Sequence, residues 1–260
     1  MYKKALKSFA LISAICLLLC SCENSTGSKT GTTPRSPEAM RVACVGDSIT
    51  FGEGIMDRER NSYPAQLAVL LGDKWEVRNF GVSGSTVLRK GNYPYWDTQE
   101  FRDALAFQPQ VVIINLGTND ARPLNWKYKD DYVRDYIALI RSFQALDSKP
   151  TVWLCNLTPA RAGKRWVFDK VILEEVMPRI KEIAQRTGLP VIELNGALSN
   201  RKELFADALH PNERGAKVIA ETIYFALIGH KPVQPSPARS SIQRPSGRRR
   251  TSLDRQALPS

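Results

Sequence analysis

The feature that most constrains the fold of this chain is a regular alternation of short apolar runs with longer amphipathic segments between residues 41 and 229. Five apolar runs have the length and β-branched content of strands. They are Arg41–Val45, Trp75–Phe80, Val111–Leu116, Thr151–Cys155 and Pro190–Leu194. The amphipathic segments predict helices over Tyr63–Leu71, Gln99–Phe107, Tyr128–Leu146, Phe168–Arg186 and Pro211–Leu227. This alternation favours an α/β fold in which helices cover both faces of a five-stranded parallel sheet.

The basic residues behind the formal net charge of +11 are concentrated at the two ends of the chain. Residues 231–260 carry seven Lys and Arg against one acidic residue, and residues 1–40 carry five against two. A nucleic-acid-binding domain places its basic residues on the folded part, so we expect no nucleic-acid partner. The Pro-, Ser- and Arg-rich composition of residues 231–260 predicts a disordered tail.

The N-terminus has the layout of an export signal, in which three lysines precede an apolar stretch of 14 residues from Ser8 to Ser21. That stretch is too short to span a membrane as a helix. Its end resembles a bacterial lipoprotein cleavage site, which implies lipidation of Cys22 rather than Cys20 and anchoring in the cell envelope. The alternative is an ordinary secretory signal. The predicted organisation is a signal peptide over residues 1–21, a flexible tether over 22–39, a folded domain over 40–230 and a basic tail over 231–260.

The cysteines of the folded part, Cys44 and Cys155, both lie in apolar strand-like runs. This placement predicts buried free thiols rather than a disulfide. No spacing of Cys and His residues matches a zinc site. We therefore expect neither a metal nor an organic cofactor.

Polar motifs follow four of the predicted apolar runs, close to the point where each strand would end. They are Gly46-Asp47-Ser48, Gly81-Val82-Ser83-Gly84, Gly117-Thr118-Asn119-Asp120 and, after a short irregular stretch, Asp207-Ala208-Leu209-His210. The carboxyl ends of parallel strands share one rim of the sheet, where ligands bind in open α/β folds. We expect these motifs to meet there.

Three residues of these motifs carry the functional groups of a nucleophilic site. A serine hydroxyl becomes reactive when a base takes its proton, and Ser48 lies between a strand and a helix N-terminus. Histidine is the natural base near neutral pH; His210 lies in a motif, whereas His230 borders the basic tail. Asp207, three residues earlier, would face the same side of a helical turn and orient the imidazole. Singly, Ser48 could be a helix cap and Asp207 a turn residue, but their order and shared rim favour catalysis.

Together the four motifs resemble the sequence blocks of the SGNH (GDSL-type) hydrolase superfamily. The resemblance spans residues 41–229 and implies a flavodoxin-like three-layer α/β/α sandwich that hydrolyses esters through a Ser-His-Asp triad. It also implies an oxyanion hole formed by the backbone N–H groups of Ser48 and Gly81 and by the side-chain amide of Asn119. Residues 40–230 would accordingly be the hydrolase domain.

Two other interpretations compete with this one. The Gly81-Val82-Ser83-Gly84 segment is similar to the nucleophile elbow of α/β-hydrolases, but position 85 is a serine where that motif needs glycine. We therefore reject Ser83 as the nucleophile. A non-catalytic binding lipoprotein would have no need of the intact set of Ser48, Asp207 and His210.

Rim loops indicate the kind of substrate. Gly52–Asn61 and Ser85–Thr98 are rich in polar residues and lack the apolar runs that a long acyl chain needs. The aromatic residues Tyr95, Trp96 and Trp126 are candidates for stacking on a sugar, with packing in long loops as the alternative. We expect a short-chain esterase, acetyl first, acting on carbohydrate. A lysophospholipase or acyl-thioesterase of the same fold is the alternative function.

Overall fold

A computed structural model of the protein describes residues 39–160 and 169–229. In this part of the chain, five parallel strands form one sheet in the order β2-β1-β3-β4-β5. The strands are β1 (Met40–Gly46), β2 (Trp75–Gly81), β3 (Val111–Asn115), β4 (Thr151–Cys155) and β5 (Val191–Ile192). Each overlaps the run predicted for it, so the predicted α/β class and sheet are confirmed.

The longer helices overlap the predicted amphipathic segments, with changes in two of them, and short helices lie between them. The α-helices of the described residues are α1 (Ser48–Phe51), α2 (Arg58–Asn61), α3 (Tyr63–Leu71), α4 (Gln99–Ala106), α5 (Pro123–Trp126), α6 (Tyr132–Gln144), α7 (Asp169–Val171), α8 (Met177–Thr187), α9 (Leu194–Leu198) and α10 (Glu213–Gly229). The helix predicted from Tyr128 begins at Tyr132, because a 3₁₀ turn occupies Lys129–Asp131. The helix predicted over Phe168–Arg186 is α7 and α8 joined by a π-helical turn over Ile172–Val176.

Alternate strand residues supply two separate cores, one on each face of the sheet. Side chains of successive strand residues point to opposite faces. Ala43 and Val45 of β1 therefore pack with α4, α6 and α8, whereas Val42 and Cys44 pack with α3 and α10. Because both faces of the sheet are buried, the strand sequences are continuous apolar runs. The sheet with helices on both faces is the three-layer sandwich that the sequence predicts.

The strand order places the site. From β1 the chain continues to β2 on one side, whereas β3 joins β1 on the other side. Such a reversal of strand order opens a crevice beyond the carboxyl end of the central strand. Ser48 follows the last residue of β1 by two positions, so it lies at this crevice.

The thiols of Cys44 and Cys155 are buried and unpaired, as predicted. Burial raises the pKa of both thiols far above the ordinary value, which keeps them protonated and unreactive. No helix within the described ranges is both long and apolar enough to cross a membrane. The predicted signal peptide, Cys22, the basic tail and all but the last residue of the tether lie outside the described residues.

Candidate active site

Three of the predicted site residues form one chain of contacts at the crevice. His210 Nε2 lies 3.0 Å from Ser48 Oγ, and His210 Nδ1 lies 2.8 Å from Asp207 Oδ2. When Nδ1–H donates to the carboxylate, Nε2 is the free acceptor for the Ser48 hydroxyl hydrogen. The sequence separation between Ser48 and His210 is 162 residues, so the tertiary fold creates this contact.

Ser48 is held by hydrogen bonds at both ends of the short helix α1. At its start, Asp47 Oδ1 accepts the N–H of Ile49 at 3.0 Å, an N-terminal cap. At its end, the side-chain amide of Asn79 on β2 donates to the carbonyl of Thr50 at 2.8 Å. These contacts fix the helix against β1 and β2, and with it the direction of the Ser48 hydroxyl. The Ser48 residue is 6% exposed.

The Asp207–His210 pair is positioned by a loop rather than by the helical turn that the spacing predicts. Asp207 Oδ1 accepts the backbone N–H groups of Leu209 at 2.7 Å and His210 at 2.6 Å. A bridge between Phe205 and Pro211 closes the loop. The carboxylate thus shapes the backbone with one oxygen and holds the imidazole with the other. The helical expectation was wrong because a short acidic side chain competes for local backbone donors.

The ionisation of Asp207 is set by the same contacts. Burial alone would raise its pKa, but hydrogen bonds from the His210 ring and from the N–H groups of His210 and Leu209 outweigh burial. The pKa of Asp207 therefore lies below its ordinary value. An ionised carboxylate at this position is suited to orienting an imidazole and stabilising its protonated form.

A turn after β2 brings a backbone donor close to the side chain of Asn119. Val82 to Ser85 form a β-turn closed by a 3.2 Å hydrogen bond, with Gly84 at a φ of +83°. This φ at the third position is that of a type II turn, which requires glycine. The buried Asn119 donates one amide hydrogen to the carbonyl of Ser85 at 3.1 Å and keeps a second for another acceptor. Within the described residues, the N–H groups of Ser48 and Gly84 donate to no protein atom.

Comparison with known proteins identifies the family. Residues 44–218, which include all four polar motifs, match the GDSL-like Lipase/Acylhydrolase family. The chain belongs to this family. It is 40% identical over 208 residues to an acetylxylan esterase of Xylanibacter ruminicola, a match covering 73% of this chain and 43% of that relative. The chain thus spans less than half the length of the relative. The family is one of lipases and acylhydrolases, and the relative is an acetylxylan esterase.

Solved structures support the SGNH hydrolase fold. A carbohydrate acetylesterase from Sinorhizobium meliloti superposes with a TM-score of 0.60 at 16% identity, covering 73% of this chain and 99% of that one. The inhibitor-bound aryl esterase of M. smegmatis gives 0.58 at 18% identity, covering 74% and 99%. At these identities the likeness concerns the fold alone.

The GDSL-family resemblance led to one incorrect oxyanion assignment, Gly81. The Gly81 N–H donates to Asn79 Oδ1 at 2.9 Å, because β2 is an edge strand and alternate N–H groups face away from β1. The next residue, Val82, donates to the carbonyl of Gly46 on β1. A Cβ at position 81 would lie 2.2 Å from the Phe51 nitrogen, so this glycine permits α1 to pack on β2. The free donor that sequence reasoning missed is Gly84, and a lone glycine between two serines in a turn was its signal.

The rejected nucleophile, Ser83, is engaged elsewhere. Its hydroxyl donates to Glu53 Oε2 at 2.6 Å on the exposed side of the turn. The Glu53 carboxylate accepts the hydrogen bond of the Ser83 hydroxyl, but within the described residues no imidazole contacts Ser83. The geometry therefore agrees with the prediction that Ser48, and not Ser83, is the candidate nucleophile.

Two of the three aromatic residues predicted to bind sugar belong to the core. Tyr95 is fully buried and its hydroxyl donates to the carbonyl of Phe80 at 2.7 Å. Trp126 is 7% exposed, and its Nε1–H donates to Glu175 at 3.0 Å. The prediction is wrong for both, because long-range packing covers their rings; the packing alternative holds.

The third predicted aromatic residue, Trp96, is partly exposed but already stacked. The guanidinium of Arg89 lies 3.6 Å from the centre of its ring, and Nε1–H donates to the carbonyl of Val87 at 2.9 Å. The aromatic side chain of this loop that is open to solvent is Tyr93, 46% exposed. Tyr93 lies within the rim loop Ser85–Thr98 that the sequence indicates.

Two buried carboxyl groups lie behind the site. Burial raises the pKa of Asp47 to about 6, even though the Ile49 N–H and the positive charges of His210 and Arg122 lower it. Burial likewise raises the pKa of Asp120 to about 7, against hydrogen bonds from Leu88 and Val87. Asp120 accepts those two N–H groups at 2.8 and 3.1 Å, so it fastens the loop after β2. Across the described residues, no group of three or more acidic, His or Cys side chains is arranged to hold a metal ion.

Asn125, the neighbour of Trp126 in α5, connects two loops of the site. It is fully buried, and its amide donates to the carbonyl of Asn119 and to Asn92 Oδ1, both at 2.8 Å. Its own oxygen accepts the N–H of Asn92 at 2.8 Å. Asn125 therefore joins the oxyanion segment to the loop that carries Tyr93.

Proposed function

We propose that this esterase removes short acyl groups, acetyl first, from carbohydrates, with Ser48, His210 and Asp207 as its catalytic residues. The observation that carries the proposal is the pair of contacts from His210, 3.0 Å to Ser48 Oγ and 2.8 Å to Asp207 Oδ2. A nucleophile, a base and a carboxylate that orients the base are the parts that serine acyl transfer requires.

In the first half-reaction, Ser48 Oγ attacks the ester carbonyl carbon while its proton passes to His210 Nε2. Asp207 stabilises the imidazolium that forms. The tetrahedral intermediate collapses when the bond to the alcohol oxygen breaks and Nε2–H protonates that oxygen. In the second half-reaction, His210 Nε2 takes a proton from water while the water oxygen attacks the acyl-Ser48 carbonyl. The bond to Ser48 Oγ then breaks, Nε2–H returns the proton to that oxygen, and the acid leaves.

The oxyanion of both intermediates would lie between the N–H groups of Ser48 and Gly84 and the second amide hydrogen of Asn119. All three are free of protein acceptors among the described residues. Donors already aimed at the developing charge need no reorganisation during the reaction. Gly84 replaces Gly81 in this assignment because the Gly81 N–H is engaged by Asn79.

The proposed carbohydrate substrate is supported by the relative that is 40% identical, an acetylxylan esterase. The polar composition of the rim loops agrees with a short acyl group. A long acyl chain would need apolar walls, because each methylene buried against them contributes about 0.8 kcal/mol. Ser83 and Glu53 place polar groups at the turn that carries Gly84, and the exposed Asn92 lies next to Tyr93 in the chain. The second candidate, a lysophospholipase or acyl-thioesterase, would need an apolar surface on these loops.

Two measurements test this function together. Acetate released from acetylated xylan and from other acetylated glycans is expected to exceed that from acetylated non-carbohydrate alcohols. With p-nitrophenyl esters, kcat/KM is expected to fall from acetate to butyrate to octanoate. A value that rises through octanoate contradicts the proposal and favours the lysophospholipase.

A further inference from the structure

Tyr93 is an exposed aromatic ring directly beside the turn that carries Gly84. The ring atom Cδ1 lies 3.8 Å from the position that a Cβ on Gly84 would occupy. This distance is van der Waals contact, so the ring edge borders the turn. With 46% of its surface exposed, Tyr93 differs from Tyr95 and Trp96, whose rings are covered by protein groups.

The backbone of this loop is held in place on both sides of the ring. The N–H of Thr86 donates to the carbonyl of Tyr93, and the N–H of Tyr95 donates to the carbonyl of Thr86, both at 2.9 Å. Asn125 holds the preceding residue, Asn92, through two hydrogen bonds of 2.8 Å. The ring therefore projects from a fixed backbone, which lowers the entropic cost of binding a ligand against it.

We propose that Tyr93, together with the exposed side-chain amide of Asn92, forms a subsite for the sugar ring on the alcohol side of the ester. This inference rests on the proposed function. An acetyl group is too small to reach past the turn when its carbonyl oxygen lies at Gly84 and Asn119. The bulk of an acetylated carbohydrate is its alcohol part, which therefore extends over the neighbouring surface.

The chemistry of this surface suits a pyranose. Sugar C–H groups pack against the face of an aromatic ring, and sugar hydroxyls accept hydrogen bonds from a neutral amide. Asn92 Oδ1 accepts from Asn125, whereas its Nδ2 donates to no atom of the described residues. In this proposal Tyr93 binds the alcohol part of the substrate and does not contact the ester bond that is cleaved.

The test compares Tyr93→Ala with the wild-type enzyme on two acetyl esters, an acetylated xylotriose and ethyl acetate. The substitution is expected to lower kcat/KM for the sugar ester about three- to tenfold through KM, as the loss of one aromatic stacking contact does. Hydrolysis of ethyl acetate, which has no ring to stack, is expected to stay unchanged. Tyr93→Phe should keep the wild-type values because the face of the ring makes the contact.

Phe225→Ala serves as the matched control, because Phe225 is an exposed aromatic residue near the end of α10; it should alter neither substrate. Equal losses on both esters would show that Tyr93 only supports the Gly84 turn, and unchanged values on both would show that there is no subsite. Either result overturns the inference.

The proposed function fails separately if the wild-type enzyme cleaves ethyl acetate but no acetylated sugar. In that case, inhibition of ethyl acetate hydrolysis by unacetylated xylotriose still decides the inference. Inhibition of the wild type that is lost in Tyr93→Ala supports the subsite. Absence of inhibition in both, or equal inhibition of both, overturns it.

Discussion

Ser48 combines near burial with three features that make a serine hydroxyl reactive. Its oxygen lies 3.0 Å from His210 Nε2, its own N–H is the first of helix α1, and its helix is capped by Asp47. The N-terminal end of a helix favours developing negative charge, although a helix of four residues contributes only a small part of this effect. The imidazole contact is therefore the decisive one.

Replacing the nucleophile gives the most direct prediction at the residue scale. Ser48→Ala is expected to fold normally and to lose about a thousandfold or more in kcat, since removal of one triad member disables the unit. A serine-reactive phosphonate should label Ser48 in the wild type. Ser83→Ala is the matched control and should keep both labelling and turnover. Labelling at Ser83, or full activity of Ser48→Ala, would exclude this mechanism.

The buried carboxyl of Asp47 gives a prediction on pH and stability. Its pKa is raised from 3.8 to about 6, so the native state binds more protons than the unfolded state between these values. The contribution to stability is thus full below about pH 4 and is lost as the pH rises through 6, by about 3 kcal/mol. Asp47→Asn keeps an oxygen for the Ile49 N–H and cannot ionise.

Urea unfolding of both proteins between pH 4 and pH 7 measures this effect. The free energy of unfolding of Asp47→Asn, relative to the wild type, should increase over that interval. Parallel pH profiles for the two proteins would show that burial does not disfavour the Asp47 charge.

At the scale of elements, the site depends on how the loop after β2 is fastened to the segment after β3. Asp120 accepts the N–H groups of Val87 and Leu88, and Asn125 holds Asn92 and the carbonyl of Asn119. The two Asp120 bonds and the Asn92–Asn125 bond join segments 32 to 33 residues apart, whereas the bond to Asn119 spans six residues within one segment. They make the oxyanion donors and the Tyr93 loop parts of one rigid unit.

Asn125→Asp tests that coupling. The carboxylate keeps an acceptor for the Asn92 N–H but replaces two donated hydrogen bonds with repulsion between oxygens. We expect a loss of about 2–4 kcal/mol in unfolding free energy and a fall in kcat of more than tenfold, because small displacements of catalytic groups are costly. Thermal unfolding and turnover of p-nitrophenyl acetate measure both effects.

The matched control is Asn61→Asp, which removes one donated bond at the surface, to the carbonyl of Met56. It should change stability and kcat little. Wild-type turnover in Asn125→Asp would show that the two loops hold their positions independently.

At the scale of the whole molecule, we propose that the enzyme is an exported lipoprotein whose domain is tethered through Cys22. The proposal rests on the sequence alone, since residues 1–38 lie outside the described part. Cys22→Ala is expected to move the protein from the membrane fraction to the soluble fraction, with kcat unchanged, because Ser48, Asp207 and His210 all lie in the folded domain after that segment. Fractionation followed by an esterase assay measures both properties. Continued membrane association of the variant would contradict lipidation at Cys22.

Much of the fold could be predicted because its signals are local. The spacing of apolar residues predicts strands such as Val111–Leu116 and helices such as Tyr63–Leu71, and the parallel sheet follows from their alternation. The rim location of Ser48, Asn119, Asp207 and His210 follows in turn, because parallel strands all end at one edge. Motif order along the chain was therefore enough to assemble the candidate catalytic residues.

Other features were decided only by the tertiary structure. Whether Gly81 or Gly84 has a free N–H depends on which edge of the sheet β2 occupies and on the backbone turn that follows. Whether Trp126 faces solvent depends on a group distant in sequence, Glu175, and whether Trp96 does depends on a loop fold that stacks Arg89 on its ring. The sequence by itself determined the chemical groups and the rim on which they lie. Long-range packing decided which donors and rings stay free, because burial and hydrogen-bond partners are properties of the assembled chain.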